Sequence, residues 1–331
     1  MKGNARCTCG IALLLVAVAL THAQTDSPLR LEKTIPLPDV KGRIDHMAFD
    51  VEGQRLFVAA LGNNTVEVID TRSGKVVRTI RGLAEPQGVL YQPGKNRLWI
   101  ANGEDGSVRI FDAATFQPLR SLDLGGDADN VRLDATTQQV LVGYGGGGIA
   151  VFDSEGSKLA SIKVDAHPES FQLDKSGPWM FVNLPNSQKV DVIDRTKSVV
   201  VASWTTDDAR SNFPMALDEA SGRLYIVCRK PAVLLALDTK SGAVVAKLST
   251  IGDCDDVFYD QKRKRLYASG GEGAIVVYQQ QGPDHYSKIA QIETVKGART
   301  SLFVPELSRL FVAVRQEGGN VAAIRIYKVN D

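Results

Sequence analysis

Polar and charged side chains recur at two fixed offsets along this chain of 331 residues. Counting back seven residues from Asp50 and the equivalent positions gives Arg43, Glu85, Asp127, His167, Ser211, Asp253 and Ala298. Counting back five gives Asp45, Gln87, Asp129, Glu169, Phe213, Asp255 and Thr300. Near these columns stand Arg43, Arg210, Arg229, Lys230, Arg299 and Arg315, cations that could hold a carboxylate or phosphate, the arginines bidentately. Acids fill the other sectors, with Glu85, Asp127, Asp129 and Glu169 in one stretch and Asp253, Asp255 and Asp256 in another, and Asn130 and Asn212 add amides.

Such a set suits a pocket for a small polar or anionic ligand, or for a loop of a partner protein. A rival reading is a hydrolase or lyase acting on a lactone-like or other anionic substrate. There His167 or Glu169 would serve as base and Arg229 or Arg299 would stabilise developing negative charge. A third reading is that the opposite charges simply pair across the structure. His46 and His167, with Asp45, Asp129, Glu169 and Asp255 nearby, make a divalent metal a candidate, although no short His-x-His or His-x-x-x-His spacing occurs. No other cofactor is expected. The run Gly143 to Gly148 leads into a strand-like Ile149–Asp153 and not a helix, so it lacks the helix N-terminus of a phosphate loop. Neither Cys-x-x-Cys-His nor Gly-x-Ser-x-Gly is present.

The elements that must position these residues form an internal repeat. Arg55-Leu56-Phe57-Val58 aligns with segments beginning at Arg97, Gln139, Trp179, Arg223, Arg265 and Arg309, at spacings of 42, 42, 40, 44, 42 and 44 residues. The first copy reads as four strands, Met47 to Asp50, Arg55 to Ala60, Thr65 to Asp70 and Lys75 to Ile80, separated by turns rich in Gly, Asn, Asp and Ser. A four-stranded unit of about 42 residues is one β-propeller blade, so the fold expected is all-β, a seven-bladed propeller. The seventh copy stops one strand short after Ala322 to Val329. The segment Leu29 to Leu37 resembles Lys75 to Leu83, so the N-terminal strand should complete the last blade and close the ring. The loops before each first strand and those joining second to third strands then share one face, which carries both columns. His285 falls in a longer turn, Gln279 to Tyr286, on the other face.

Leu56-Phe57-Val58-Ala59-Ala60 followed by Asn64 to Asp70, and Leu98-Trp99-Ile100-Ala101-Asn102 followed by Ser107 to Asp112, resemble the YVTN propeller repeat. The resemblance extends over nearly the whole chain to the YncE-like periplasmic propellers. Gln279 and Lys328 depart from it, standing where the repeat has Asp. It implies the fold, and among functions it embraces lactonases, dehydrogenase subunits and surface-layer proteins. Nucleic-acid binding, also raised by it, is opposed by the charge balance.

Residues 1 to 23 read as a signal peptide: Lys2 and Arg6 precede an apolar run from Ile11 to Leu20, with cleavage near Ala23. A single domain over 24–331, located in the periplasm, is expected. The 39 basic and 38 acidic residues become 37 against 38 without the signal, a balance favouring neither nucleic acid nor anionic lipid. No later segment is long and apolar enough to span a membrane, and a monomer is expected. Cys228 and Cys254 remain, either as a disulfide between adjacent blades or as two buried thiols.

Overall fold

The computed structural model describes residues 27–317, 319 and 321–331; the signal peptide expected over 1–23 lies outside them. Strands of the repeat form where apolar residues run without interruption. In Arg55–Ala60 all but the first residue is buried, whereas the outer strand Lys75–Ile80 is mostly exposed. Continuous apolar runs fit strands covered on both faces, and here the cover is the neighbouring blade. The chain folds as seven antiparallel four-stranded sheets. Seven apolar clusters, each drawn from two adjacent blades, fill the spaces between them; one unites Phe57 and Val68 with Val89 and Ile100. This is the expected seven-bladed propeller. In blade one all four strands begin and end where the sequence places them.

Ring closure follows the expected route. Leu29–Pro36 lies antiparallel to Ala323–Val329, from Leu29 opposite Val329 to Pro36 opposite Ala323, and completes the sheet of Ser301–Val304 and Arg309–Val314. The last blade therefore joins both ends of the chain.

Two polar devices repeat with the blades. In blades one to five the Asp closing the third strand caps the next turn: Asp70 accepts from the Arg72 N–H at 2.9 Å, and Asp112, Asp153, Asp194 and Asp238 do the same two residues on. Where Gln279 replaces Asp, its amide donates to the carbonyls of Arg263 and Lys264. The hairpin beyond it is longer than expected. Strands Ala274–Gly282 and His285–Glu293 run nearly to the tip, so the Gln279 to Tyr286 turn shrinks to two residues and His285 opens a strand.

In blades one, two, five and six the Arg opening the second strand bolts its blade to the next. Arg55 reaches the Ala113 carbonyl, Arg97 that of Ser154, Arg223 the Asp284 carboxylate at 2.7 Å, and Arg265 the Asn330 carbonyl at 2.6 Å. Blades three and four carry Gln139 and Trp179 at this position. Their junction is held from the other side, by Arg195 reaching back to Asp134. Among the described residues helix is limited to three single 3₁₀ turns, and no helix is long and apolar enough to cross a membrane.

Candidate functional site

The approach to the innermost strand is irregular in four blades, and this irregularity aims the site. Glu85, Asp127, Ser211 and Asp253, all of the first column, adopt φ of 51°, 20°, 60° and 52°. Directly after them pairing with the second strand slips, between Pro86 and Val89, Ala128 and Val131, Asn212 and Met215, and Cys254 and Asp256. A left-handed residue followed by a bulge turns the strand and breaks the alternation of side chains. Consecutive residues such as Asp129 and Asn130 can then both face the channel.

The result is a cavity of about 320 Å³ at the expected mouth. Of the sequence candidates, Arg43, Asp45, His46, Gln87 and Asp129 line it, and so do Asn130, His167, Glu169, Arg229, Asp255 and Arg299. Asp127 and Phe213, also from the two columns, and Ser170, which the sequence did not single out, complete the wall. Five candidates lie elsewhere. Glu85, Arg210 and Lys230 are exposed outside it, and Arg315 pairs with Glu317 at 2.9 Å. Asn212 is buried, donating to Asn183 at 2.9 Å and to the Lys189 carbonyl, and so fastens blade five to blade four. A larger groove of about 680 Å³ between blades three and four opens on the opposite face and gathers no comparable set of charges.

Charge pairing divides the cavity into two sectors. On one side Arg299 bonds Asp253 at 2.8 Å and Asp255 at 2.9 Å, while Arg229 bonds Asp255, donates to the Cys254 carbonyl and stacks 3.7 Å from the centre of the Phe213 ring. Arg43 joins Asp45 at 2.6 Å from a half-exposed position on the rim. On the other side, Asp127, Asp129 and Glu169 have imidazoles and amides as neighbours. His46 Nε2 lies 3.8 Å from both Asp45 and Asp129 and 3.3 Å from the Asn130 amide. His167 Nδ1 is 2.7 Å from the Gly145 carbonyl and 3.7 Å from Asp127, while its Nε2 is 3.9 Å from Asp129.

These surroundings shift the titrating groups. Burial, then the neighbouring Asp129 and Asp255 charges, push the Glu169 carboxyl up to about 8. Burial opposes the His46 cation, but Asp45, Asp256 and Asp129 outweigh it and raise the imidazole to about 9. At His167 burial is likewise outweighed, by Asp129, the Gly145 carbonyl and Asp127, and the ring rises to about 9. At neutral pH both imidazoles are therefore cationic and Glu169 holds its proton. The wall sets donors against acceptors, with cations and carboxylates nearly balanced.

Deeper in the channel Asp256 takes the Ser301 N–H at 2.7 Å, and burial raises it to about 7. Arg132 is its companion, a residue that the column analysis did not reach. It lies two residues beyond Asn130 on the same strand, so stepping on by two would have found it.

Cys228 and Cys254 are not joined by a disulfide; both are free and buried. Although their strands are adjacent, the side chains lie on opposite faces of the blade-five sheet. Cys228 packs in the cluster between blades four and five, and Cys254 in that between five and six.

Comparison with known proteins agrees with this architecture. No family model matches the chain. The uncharacterized protein YncE of Salmonella typhi is 27% identical over 97 residues, which cover 29% of this chain and 27% of that protein. For the YncE of Escherichia coli O157:H7 the figures are 23% over 203 residues, 55% and 56%. The chain thus spans between about a quarter and just over half the length of the curated relatives it matches. Two solved structures share the fold: a chain of Kuenenia stuttgartiensis hydrazine synthase, with TM-score 0.74 and 19% identity over 93% of this chain and 98% of that one, and a chain of a mitotic checkpoint complex, with TM-score 0.77 and 14% identity over 98% and 100%. The resemblance to YncE-like propellers is supported, and the two structures speak for the fold alone.

Proposed function

We propose that this chain is an exported binding or scaffold propeller that holds a small polar ligand bearing a carboxylate at the mouth lined by Arg43, Asp129 and Glu169. The observation that carries the reading is the make-up of the cavity wall: of fourteen lining residues only Phe213 is apolar. A volume of about 320 Å³ is at the lower end of ligand pockets, which run from about 300 to 1,000 Å³. The guanidinium of Arg43 uses one donor on Asp45 and stands half-exposed on the rim. Opposite it, carboxyl and imidazole groups supply partners for hydroxyls. Export rests on the charged and apolar segments of residues 1–23 and is checked by fractionating cells and locating the processed chain.

Thermal shift and calorimetry against hydroxy acids, sugar lactones, dicarboxylates and nucleotides test the ligand. One that binds only the folded state adds about 2.7 kcal/mol at a hundred times its dissociation constant. Gln87→Trp should close the mouth without removing a charge and abolish the shift. A shift that survives this variant places the ligand elsewhere, and silence across the panel favours a protein partner, to be sought by pull-down from periplasmic extract.

A hydrolase or lyase reading of the same mouth draws on one observation, the clustering of perturbed acid and base groups at His167 and Glu169. Product formation from any ligand that binds would favour it; binding without turnover would set it aside.

A further inference from the structure

We propose that Asp129, His167 and Glu169 form a binding site for a divalent first-row transition-metal ion on the blade-three and blade-four side of the cavity. One ligand atom from each residue lies within 4.8 Å of the other two. Bonds from such an ion to imidazole nitrogen and carboxylate oxygen are about 2.0–2.2 Å, so ligand atoms in a filled site sit about 3–3.5 Å apart. The ligand atoms therefore need to close by up to about 1.3–1.8 Å, within reach of rotation about the side chains' own bonds.

Two features beyond proximity point to a cation. The first is a pair of unsatisfied acceptors. Asp129 Oδ1 and Asn130 Oδ1, on residues 5% and 1% exposed, are buried against the cavity without any hydrogen-bond donor. A buried acceptor without a donor costs about 1–3 kcal/mol, more when charged; Oδ1 of Asp129 lies toward His46 and Oδ2 toward His167, so an ion gripped by both oxygens removes that cost. The second is the orientation of His167. A carbonyl oxygen only accepts, so the 2.7 Å contact to Gly145 makes Nδ1 the donor and leaves Nε2 to face Asp129. Metal-bound imidazoles are commonly held in this way, one nitrogen donating to a backbone carbonyl and the other bonded to the ion. An arriving ion takes the place of the proton on Nε2.

One nitrogen and two carboxylates suit zinc, manganese, iron(II) or cobalt(II) better than calcium, which takes six to eight oxygens. Three protein ligands leave coordination positions open toward the cavity, where a carboxylate or water can enter. The site stands on its own residues and holds or fails independently of the organic ligand proposed above.

Calorimetric titration of chelator-treated, untagged protein with Zn²⁺, Mn²⁺ and Ca²⁺ separately, no organic ligand present, tests it. One equivalent of Zn²⁺ or Mn²⁺ should bind, with Ca²⁺ much weaker. Asp129→Asn and Glu169→Gln should each weaken binding about tenfold or more, while Arg315→Ala leaves it unchanged. Anomalous scattering from crystals of the metal-loaded wild-type protein provides a readout that no variant's folding can confuse, with the ion expected between the three residues. Absence of binding, binding unchanged in both variants, or an ion located elsewhere overturns the proposal.

Discussion

Asp256 shows what a single buried charge does to this ring. Ser301 N–H donates to its carboxylate, yet burial dominates and lifts its pKa from the usual 3.8 to about 7. A carboxyl whose pKa is higher folded than unfolded binds protons more tightly in the native state, so stability falls as pH rises between the two values. Its stabilising contribution is complete below about pH 4 and lost above about 7. Asp256→Asn keeps an oxygen for Ser301 and removes the ionisation. The variant should therefore melt higher than wild type at pH 8, by about 1–3 kcal/mol once the partly open channel is allowed for, and the difference should vanish toward pH 4.5. Paired melts at the two pH values decide it; a difference independent of pH would show that Asp256 ionises normally. At this scale much of the site was legible. The columns at offsets of five and seven from a repeated turn hold nine of the fourteen cavity residues, and His46, Asn130, Arg229 and Arg299 were found beside them. The offsets could not show which cations already have partners. Arg210 and Lys230 were grouped with Arg229, but only Arg229 folds onto Phe213 and Asp255.

Between residue and molecule, the element that matters is the bulged entry to the innermost strand. Glu85, Asp127, Ser211 and Asp253 hold left-handed conformations that cost a non-glycine residue energy, and the following register slip points the next residues into the channel. Ser211, at φ 60°, is the simplest to test because its side chain stands outside the cavity. Ser211→Gly should be neutral or stabilise by up to about 1 kcal/mol, whereas Ser211→Val, with its branched Cβ, should cost more than that. Urea melts of the two variants check the order, and the reverse order would mean that the bend does not depend on this conformation. Strand periodicity alone does not reveal a bulge, because a slip leaves the apolar pattern on either side intact. The blade strands were therefore legible and the exact aim of Asp129 and Asn130 was not. The sequence left Cys228 and Cys254 open between a disulfide and two buried thiols for a related reason: adjacency of strands says nothing about which face of the sheet each Cys occupies. A second element-scale prediction concerns the junction of blades three and four, where Arg195 stands in for the repeat arginine. Arg195→Ala strands the buried Asp134 carboxylate and should cost about 2–4 kcal/mol, somewhat below a fully enclosed pair because Arg195 is 15% exposed.

At the scale of the molecule, stability depends on closing the circle. Each blade buries its faces only on its neighbours, so six intact junctions with an open seventh would leave two apolar blade faces in water. Leu29–Pro36 closes that gap by pairing along Ala323–Val329 and placing Leu29 and Ile35 into the two clusters flanking blade seven. The arrangement was legible because the N-terminal segment repeats the fourth-strand pattern of blade one, and only one sheet lacked that strand. Ile35→Asp puts a charge where a side chain 1% exposed now sits, in the core shared by blades seven and one. Lost burial and an unpaired buried carboxylate together should cost about 3–5 kcal/mol. Deleting residues 27–36 removes the strand entirely and leaves the edge of Ala323–Val329 unpaired, a template for association between chains. The truncated protein should run as aggregates on size exclusion, and a synthetic peptide of residues 27–37 should return it to the wild-type position by adding the missing strand in trans. If the truncated chain instead melts cooperatively at the wild-type temperature without peptide, blade seven is complete with three strands and the ring does not rely on its seam.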